Sequence, residues 1–176
     1  MNINIRQALI NDINEIIKIE NNTYGKYSWS IDAFKKELES SYSYYLVIVN
    51  LDTNEIVGYI GAWIIFEEVH IVTLVISEGF RRIGLADILL YNIINFSIQS
   101  KKKWLTLEVK ISNNAAIQLY EKWKFKQLGI RKNYYKESNE DALILWSEDI
   151  QSVNFREFFR GLGDRFVLKS VTDKYQ

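Results

Sequence analysis

Residues 72–90 constrain this chain more than any other stretch, because they join an apolar run to a short basic loop and then to an amphipathic segment. The β-branched residues at 72–76 predict a buried strand, and apolar residues at helical spacing from Leu85 onward predict a helix. Gly79 and Gly84 lie between them. The first amides of a helix have no backbone partner and the helix dipole is positive there, so the junction is typical of an anion-binding loop. A basic turn before a helix is the simpler alternative.

The residues of this loop narrow the kind of anion that it could bind. Two of its glycines have the spacing of a nucleotide P-loop, but Leu85 and Ala86 stand where that motif requires Lys and then Ser or Thr. The three glycines of a dinucleotide fingerprint are absent. Gly84 has no side chain, so a bulky anion can approach the backbone, while Arg81 and Arg82 add positive charge and forked donors.

Charge and composition exclude several classes of function. The chain has 22 basic and 22 acidic residues, so no global field favours nucleic acid or an anionic membrane. The absence of cysteine excludes disulfides, thiol nucleophiles and cysteine-ligated metals. With His70 as the single histidine, a histidine-rich metal site is also excluded. The N-terminus is polar and no apolar run reaches the ~18 residues of a membrane span, so we expect a soluble protein without a secretion signal.

The succession of periodic segments predicts one α/β domain over residues 1–150. Alternating runs predict strands and amphipathic runs predict helices, in the order β α α β β β α β α β β around a single mixed sheet. Residues 151–176 form a C-terminal extension with an aromatic and basic segment that contains Phe155, Phe158 and Phe159. We expect this segment to pack as a helix against the domain, with a surface for a partner as the alternative.

Two motifs together resemble the GCN5-related N-acetyltransferase (GNAT) family. The loop pattern R-x-x-G-x-A, formed by Arg81, Gly84 and Ala86, resembles the loop with which that family binds the pyrophosphate of acetyl-CoA. Residues 105–125 contain L-E-V and then N-x-x-A-I-x-L-Y, which resemble the family's second strand-loop-helix element. The resemblance covers residues 3–148 and implies a single mixed, mostly antiparallel central sheet of about seven strands flanked by helices.

The finer resemblance is to bacterial ribosomal-protein alanine N-terminal acetyltransferases and their red-algal plastid-encoded relatives. It rests on residues 27–30, which match an F-P-W-S loop without its proline, and on residues 131–135 and 141–144. The absence of Pro and the abundance of Ile, Asn and Lys indicate an AT-rich genome. We therefore expect the protein in the plastid stroma (chloroplast) if it is plastid-encoded, and otherwise in the bacterial cytoplasm.

The resemblance implies acetyl-CoA as cosubstrate and no metal. The residues that would contact the cosubstrate are the loop residues Arg81, Arg82, Ile83, Gly84, Leu85 and Ala86, Asn113 at the pantetheine arm, and Leu74 and Val75, whose amides would hold the oxyanion. From the residues alone, Asn113 is equally an N-cap. Ile83 departs from the family's basic or polar residue. Lys124 stands where the family usually has a Gly at a left-handed helix end. If that backbone conformation is kept, the lysine should lower the stability of the fold by about 1 kcal/mol.

By the same resemblance, Glu108 is the general base and Tyr120 is the acid that protonates the CoA sulfur. A surface charge and a packed aromatic residue are the simpler interpretations of these two side chains. Trp29, Tyr134 and Tyr135 would frame the first residues of a peptide, although aromatic residues beside strands are often core. We expect His70 to be structural, with a role near the base as the alternative.

These expectations converge on acetyl transfer to the α-amine of a protein N-terminus, with a ribosomal protein among the candidate acceptors and with neither nucleic acid nor membrane as a partner. The wall of aromatic residues at 24–29 and 134–135 suits an extended peptide. One alternative is a small amine or a lysine as the acceptor. A non-catalytic acyl-CoA-binding module is another, and the presence of both Glu108 and Tyr120 favours the enzyme.

Overall fold

A computed structural model describes residues 1–166 of the chain. Within that range, the strands are β1 (Ile3–Gln7), β2 (Ser43–Asn50), β3 (Glu55–Ile65), β4 (Glu68–Ile76), β5 (Trp104–Lys110), β6 (Lys126–Tyr135) and β7 (Glu140–Trp146). The helices are α1 (Ile13–Tyr24), α2 (Ile31–Glu39), α3 (Leu85–Gln99), α4 (Asn114–Lys122) and α5 (Val153–Phe166). The predicted order of elements is confirmed, and α5 follows it.

The seven strands form one sheet in the order β1-β2-β3-β4-β5-β7-β6. Every neighbouring pair is antiparallel except β4 and β5, which run parallel and are connected through α3. The expectation of an α/β fold with a mixed, mostly antiparallel sheet is therefore confirmed.

Strands β4 and β5 separate halfway along their length. Their pairing runs from Glu68 opposite Trp104 to Ile71 opposite Leu107 and ends there. At the same level the register between β3 and β4 shifts, which leaves Val72 as an extra residue in β4. A bulge of this kind bends a strand and increases its twist, so the two central strands diverge and open a cleft between their C-terminal halves.

Helices cover both faces of the sheet. The larger core contains residues of α3, α4 and α5 against one face, including Leu89, Tyr120 and Phe155. The smaller core contains residues of α1 and α2 against the other face, including Ile16 and Phe34. The cleft between β4 and β5 is also lined by residues of α1 and of α4.

The C-terminal extension packs against the larger core, as expected for its first part. Phe155 and Phe159 of α5 are 1% and 8% exposed. The ring of Phe159 stacks on Tyr91 of α3 with 4.7 Å between ring centroids. The expectations for residues 167–176 lie outside the part of the chain that the structure describes.

Candidate active site

The divergence of β4 and β5 creates a cavity of about 360 Å³. Six of the residues predicted from the sequence line it: Trp29, Leu74, Glu108, Asn113, Tyr120 and Tyr135. The other predicted residues do not: the side chain of Val75 is buried in the smaller core, Tyr134 is 44% exposed, and none of residues 81–86 lines the cavity. Strand, helix and loop elements that are far apart in the sequence thus converge on one cleft.

The carboxylate of Glu108 is fixed by two side chains. His70 Nε2 lies 3.1 Å from one of its oxygens and Arg131 lies 3.2 Å from the other, and only 8% of the Glu108 side-chain surface is exposed. The hydrogen bond from His70 and the charge of Arg131 outweigh burial and lower the pKa of Glu108 below its ordinary value. Glu108 is therefore ionised at neutral pH and stands in the cleft as a hydrogen-bond acceptor.

The imidazole of His70 is itself held in place. Its Nδ1 lies 2.8 Å from the Oγ1 of Thr106, which lies directly opposite His70 on β5. When the threonine hydroxyl donates to Nδ1, the remaining proton is on Nε2 and points at Glu108. The ring of His70 contacts the predicted base directly, which favours the alternative expectation of a role near the base.

Tyr120 reaches the cleft from the last turn of α4. The helix starts at Asn113, whose side-chain oxygen accepts a hydrogen bond from the amide of Ala116 at 3.1 Å, so Asn113 is an N-cap and also lines the cleft. Tyr120 is 6% exposed and packs on Phe125 at 5.4 Å between ring centroids. Burial raises the pKa of Tyr120, so it stays a protonated donor at neutral pH.

The basic loop between β4 and α3 has the geometry of an anion site. Gly84 adopts a left-handed conformation, with φ at 87°, and a Cβ added there would meet no atom within 4 Å. Arg81 folds back so that its Nε donates to the carbonyl of Ile76 at 3.0 Å, while Arg82 stays exposed with φ at 63°. Open space therefore lies beside Gly84 in a positively charged loop, and the first amides of α3 have no partner within the helix, so these features fit a phosphate-bearing ligand.

Aromatic rings form the walls at the other end of the cleft. Trp29 packs on Phe34 with 5.3 Å between ring centroids. Tyr135 contacts Tyr134 edge-on at 5.1 Å, and its hydroxyl donates to the backbone oxygen of Glu108 at 3.4 Å. Burial raises the pKa of Tyr135 to about 12. The rings of Trp29 and Tyr135 line the same cavity as Glu108.

A buried carboxylate that the sequence analysis missed also lines the cleft. Glu20 of α1 is 3% exposed and accepts hydrogen bonds from the hydroxyl of Tyr59 and, at 3.3 Å, from the amide of Trp29. Burial raises the pKa of Glu20. Its position could have been found, because Glu20 follows Ile13 and Ile16 at helical spacing and so falls on the buried stripe of α1.

The described residues were also compared with the requirements of a metal site and of a membrane span. Within residues 1–166, no group of three or more His, Cys, Asp or Glu side chains is arranged to hold a metal ion. None of the helices in that range has the length and apolar character needed to cross a membrane.

The chain matches known proteins over most of its length. The sequence profile of the acetyltransferase (GNAT) family matches residues 12–125. A Bacillus subtilis protein, provisionally named a ribosomal protein bS18-alanine N-acetyltransferase, is 34% identical over 143 residues, which cover 81% of this chain and 93% of the relative. An N-alpha-acetyltransferase of Saccharolobus solfataricus is 32% identical over 161 residues, which cover 80% of this chain and 90% of the relative.

Solved structures share the fold at lower identity. The ribosomal-protein-S18-alanine N-acetyltransferase of Escherichia coli superposes with a TM-score of 0.75 at 21% identity, covering 99% of this chain and 98% of that one. The Arabidopsis thaliana NAA60 in complex with acetyl-CoA gives a TM-score of 0.73 at 18% identity, covering 82% of this chain and 97% of that one.

Proposed function

The chain belongs to the acetyltransferase (GNAT) family, and we propose that it moves the acetyl group of acetyl-CoA to the α-amine of a protein N-terminus, of the ribosomal-protein alanine type. The observation that carries this proposal is the ionised carboxylate of Glu108, which His70 and Arg131 hold in a cleft that Tyr120 also lines. The names of the relatives in Bacillus and Saccharolobus support an N-terminal acceptor.

The chemistry favours an α-amine over a lysine. An α-amine has a pKa of about 7.7–8.0, whereas a lysine has about 10.4, so a lysine must give up roughly 2.5 more pKa units, or about 3.4 kcal/mol, to reach its neutral form at the same pH. Removal of a proton from an α-amine therefore demands less of the ionised Glu108 carboxylate than removal of a proton from a lysine.

Glu108 removes the amine proton in this proposal. The α-amine is largely an ammonium at neutral pH and must lose one proton before its nitrogen can attack the thioester carbonyl. The ionised carboxylate of Glu108 accepts that proton, directly or through a water molecule. The second proton, which the nitrogen loses as the carbon–nitrogen bond forms, passes to solvent. His70 and Arg131 keep the carboxylate ionised and aimed between the aromatic walls until that moment.

Tyr120 and the unpaired half of β4 would act on the thioester, at the leaving sulfur and at the carbonyl oxygen. When the carbon–sulfur bond breaks, the sulfur leaves as a thiolate, and the phenol of Tyr120 supplies its proton. The negative charge on the carbonyl oxygen requires backbone donors, and the segment around Leu74 and Val75, where β4 no longer pairs with β5, is where we assign them. These roles account for the placement of Glu108 and Tyr120 in one cleft.

The basic loop would bind the phosphates of acetyl-CoA. Arg81, Arg82 and the amides that follow Gly84 supply donors and positive charge, while Leu85 is buried and anchors the start of α3 in the core. Ile83 is 54% exposed and Ala86 packs against the larger core, so both shape the loop. Asn113 would meet the pantetheine arm with the part of its amide that the cap leaves free.

The acceptor would enter between the aromatic walls. Trp29 and Tyr135 border the space in front of Glu108, and Tyr134 stands at its outer rim, where an extended peptide could lie along the rings. The AT-rich composition further supports a plastid or a low-GC bacterium as the setting.

Mass spectrometry of protein N-termini, with and without the gene, tests this proposal. We expect one or a few N-termini, with a ribosomal protein that begins with alanine among them, to lose acetylation when the gene is removed. Lysine acetylation should not change. Loss of acetylation only on lysines or on small amines would contradict the proposal, and normal acetylation everywhere would favour the acyl-CoA-binding module.

A further inference from the structure

Polar side chains form a row across the face of the sheet that carries α1 and α2. On β3, Trp63 lies directly opposite His70 of β4, and His70 lies opposite Thr106 of β5. Glu108 follows Thr106 by two residues and therefore points to the same face. The row ends at Arg131 of β6, which contacts Glu108. Trp63 thus occupies the position that backs His70 on the side away from the predicted base.

The indole of Trp63 packs against the imidazole of His70. The two ring centroids are 5.9 Å apart and the ring planes differ by 26°, which is a stacked arrangement. The indole covers one side of the imidazole, so stacking disfavours rotation of the His70 ring out of this plane. Thr106 fixes the same ring by a hydrogen bond to Nδ1, so the His70 plane is defined from two sides.

Trp63 is fixed in turn by a carboxylate of α2. The indole Nε1 donates to Glu37 Oε2 at 2.8 Å. The same oxygen accepts hydrogen bonds from the hydroxyls of Ser43 at 2.9 Å and Tyr45 at 3.2 Å. Three donors on one oxygen hold the Glu37 carboxylate rigidly, so the indole has little freedom to leave the imidazole.

We propose that Trp63 is a positioning residue for acetyl transfer: held by Glu37, it keeps the plane of the His70 imidazole in the orientation from which Nε2 donates to Glu108. The proposal rests on the proposed function for its effect on rate, although not for its effect on the histidine. If the imidazole turned, Glu108 would lose the donor on one oxygen and its carboxylate would no longer be held at the angle the amine requires. Catalytic groups displaced by even a fraction of an ångström lose rate steeply.

Nuclear magnetic resonance of the histidine tests the first step without any turnover. The chain has one histidine, so its imidazole nitrogens give an unambiguous signal. In the full-length protein at a pH where the ring is neutral, we expect a single tautomer with the proton on Nε2. In Trp63→Leu we expect the Nε2 resonance to broaden and to shift as its hydrogen bond to Glu108 weakens, and in Trp63→Phe, which keeps a ring to stack, a smaller change. An unchanged Nε2 resonance in Trp63→Leu would overturn the proposal.

A double-mutant cycle with His70 tests the second step. We expect Trp63→Leu to lower kcat for an alanine-initiated peptide about tenfold, with the KM for acetyl-CoA unchanged. The same change in a His70→Gln background should cause no further loss, because Trp63 acts through that imidazole. Equal losses in both backgrounds would show that Trp63 acts independently, and would overturn the proposal.

Controls separate this role from a general effect on folding and from failure of the proposed function. Trp104→Phe changes another half-buried tryptophan, at the start of β5 and outside the lining of the cleft, and should leave kcat and the histidine signal unchanged. Absence of wild-type turnover on every N-terminal peptide would contradict the proposed function alone, since the Nε2 resonance still decides the role of Trp63.

Discussion

At the scale of single residues, the proposed chemistry depends on the ionised carboxylate of Glu108. Glu108→Gln keeps the size of the side chain but removes the base, and it replaces one of the two oxygens that contact His70 and Arg131 with an amide group. We expect kcat to fall by a factor of roughly 10² to 10⁴, while acetyl-CoA binding stays close to wild type. The deficit should shrink as pH rises towards and past the pKa of the acceptor amine, because the amine then arrives deprotonated. Steady-state kinetics across pH measure this, and a wild-type profile would remove Glu108 from the mechanism.

Tyr120→Phe tests whether Tyr120 is the acid that protonates the leaving sulfur. The change removes one hydroxyl from a buried ring whose packing on Phe125 is otherwise kept. We expect slower turnover that high pH does not restore, because a deprotonated amine does nothing to protonate the leaving thiolate. Recovery at high pH to the same extent as in Glu108→Gln would show that the two side chains serve the same proton transfer.

The residues that could be predicted from the sequence are those within short motifs. Glu108 and Tyr120 belong to one strand-loop-helix stretch, and the structure places both in the cleft. His70 and Trp63 could not be assigned in the same way. Their contacts depend on the register between β3, β4 and β5, which includes a bulge that no local pattern indicates.

At the scale of elements, the end of α4 carries a measurable strain. Lys124 has φ at 67°, in the region that glycine favours, so the family's backbone is kept without its glycine. We expect Lys124→Gly to be about 1 kcal/mol more stable than Lys124→Ala in chemical denaturation. Both variants lose the contact of the Lys124 ammonium with the ring of Phe158, so their difference isolates the backbone. Equal stabilities would show that the turn relaxes when the lysine is removed.

The loop before α3 allows a matched test of cosubstrate binding. Gly84→Glu places bulk and negative charge where the phosphates would lie, and we expect it to abolish acetyl-CoA binding in calorimetry. Gly84→Gln has the same bulk and the same strain at positive φ without the charge, and should weaken binding less. Wild-type affinity in the glutamate variant would contradict the assignment of this loop.

The order of strands and helices could be predicted from the sequence, but not every hydrogen bond that caps a helix could be. Ser30 caps α2 through a bond to the amide of Ala33 at 3.2 Å, as its residue type predicts. Asp12 has the sequence context of a cap for α1, yet it makes no such bond and pairs instead with Arg6 of β1 at 2.6 Å. Which of two possible partners a side chain such as Asp12 binds depends on the tertiary fold, and residue propensities contain no information about that fold.

At the scale of the whole molecule, the C-terminal extension belongs to the same core as the sheet. Phe155 is 1% exposed and packs in the larger core, so Phe155→Ala should lower the free energy of unfolding by about 3–5 kcal/mol. Val153→Ala, in the same helix at a residue that is 72% exposed, is the control and should change it little. If Phe155→Ala and Val153→Ala both change the free energy of unfolding only slightly, the packing of α5 contributes little to stability.

The central claim is that this protein acetylates a peptide α-amine, and purified enzyme with acetyl-CoA and a pair of peptides tests it most directly. One peptide begins with a free alanine and contains an internal lysine, and the other is identical except that its N-terminus is blocked. The account predicts a single acetyl group on the α-amine of the first peptide and none on the second, by tandem mass spectrometry. Acetylation of the lysine in the blocked peptide at a comparable rate would contradict it.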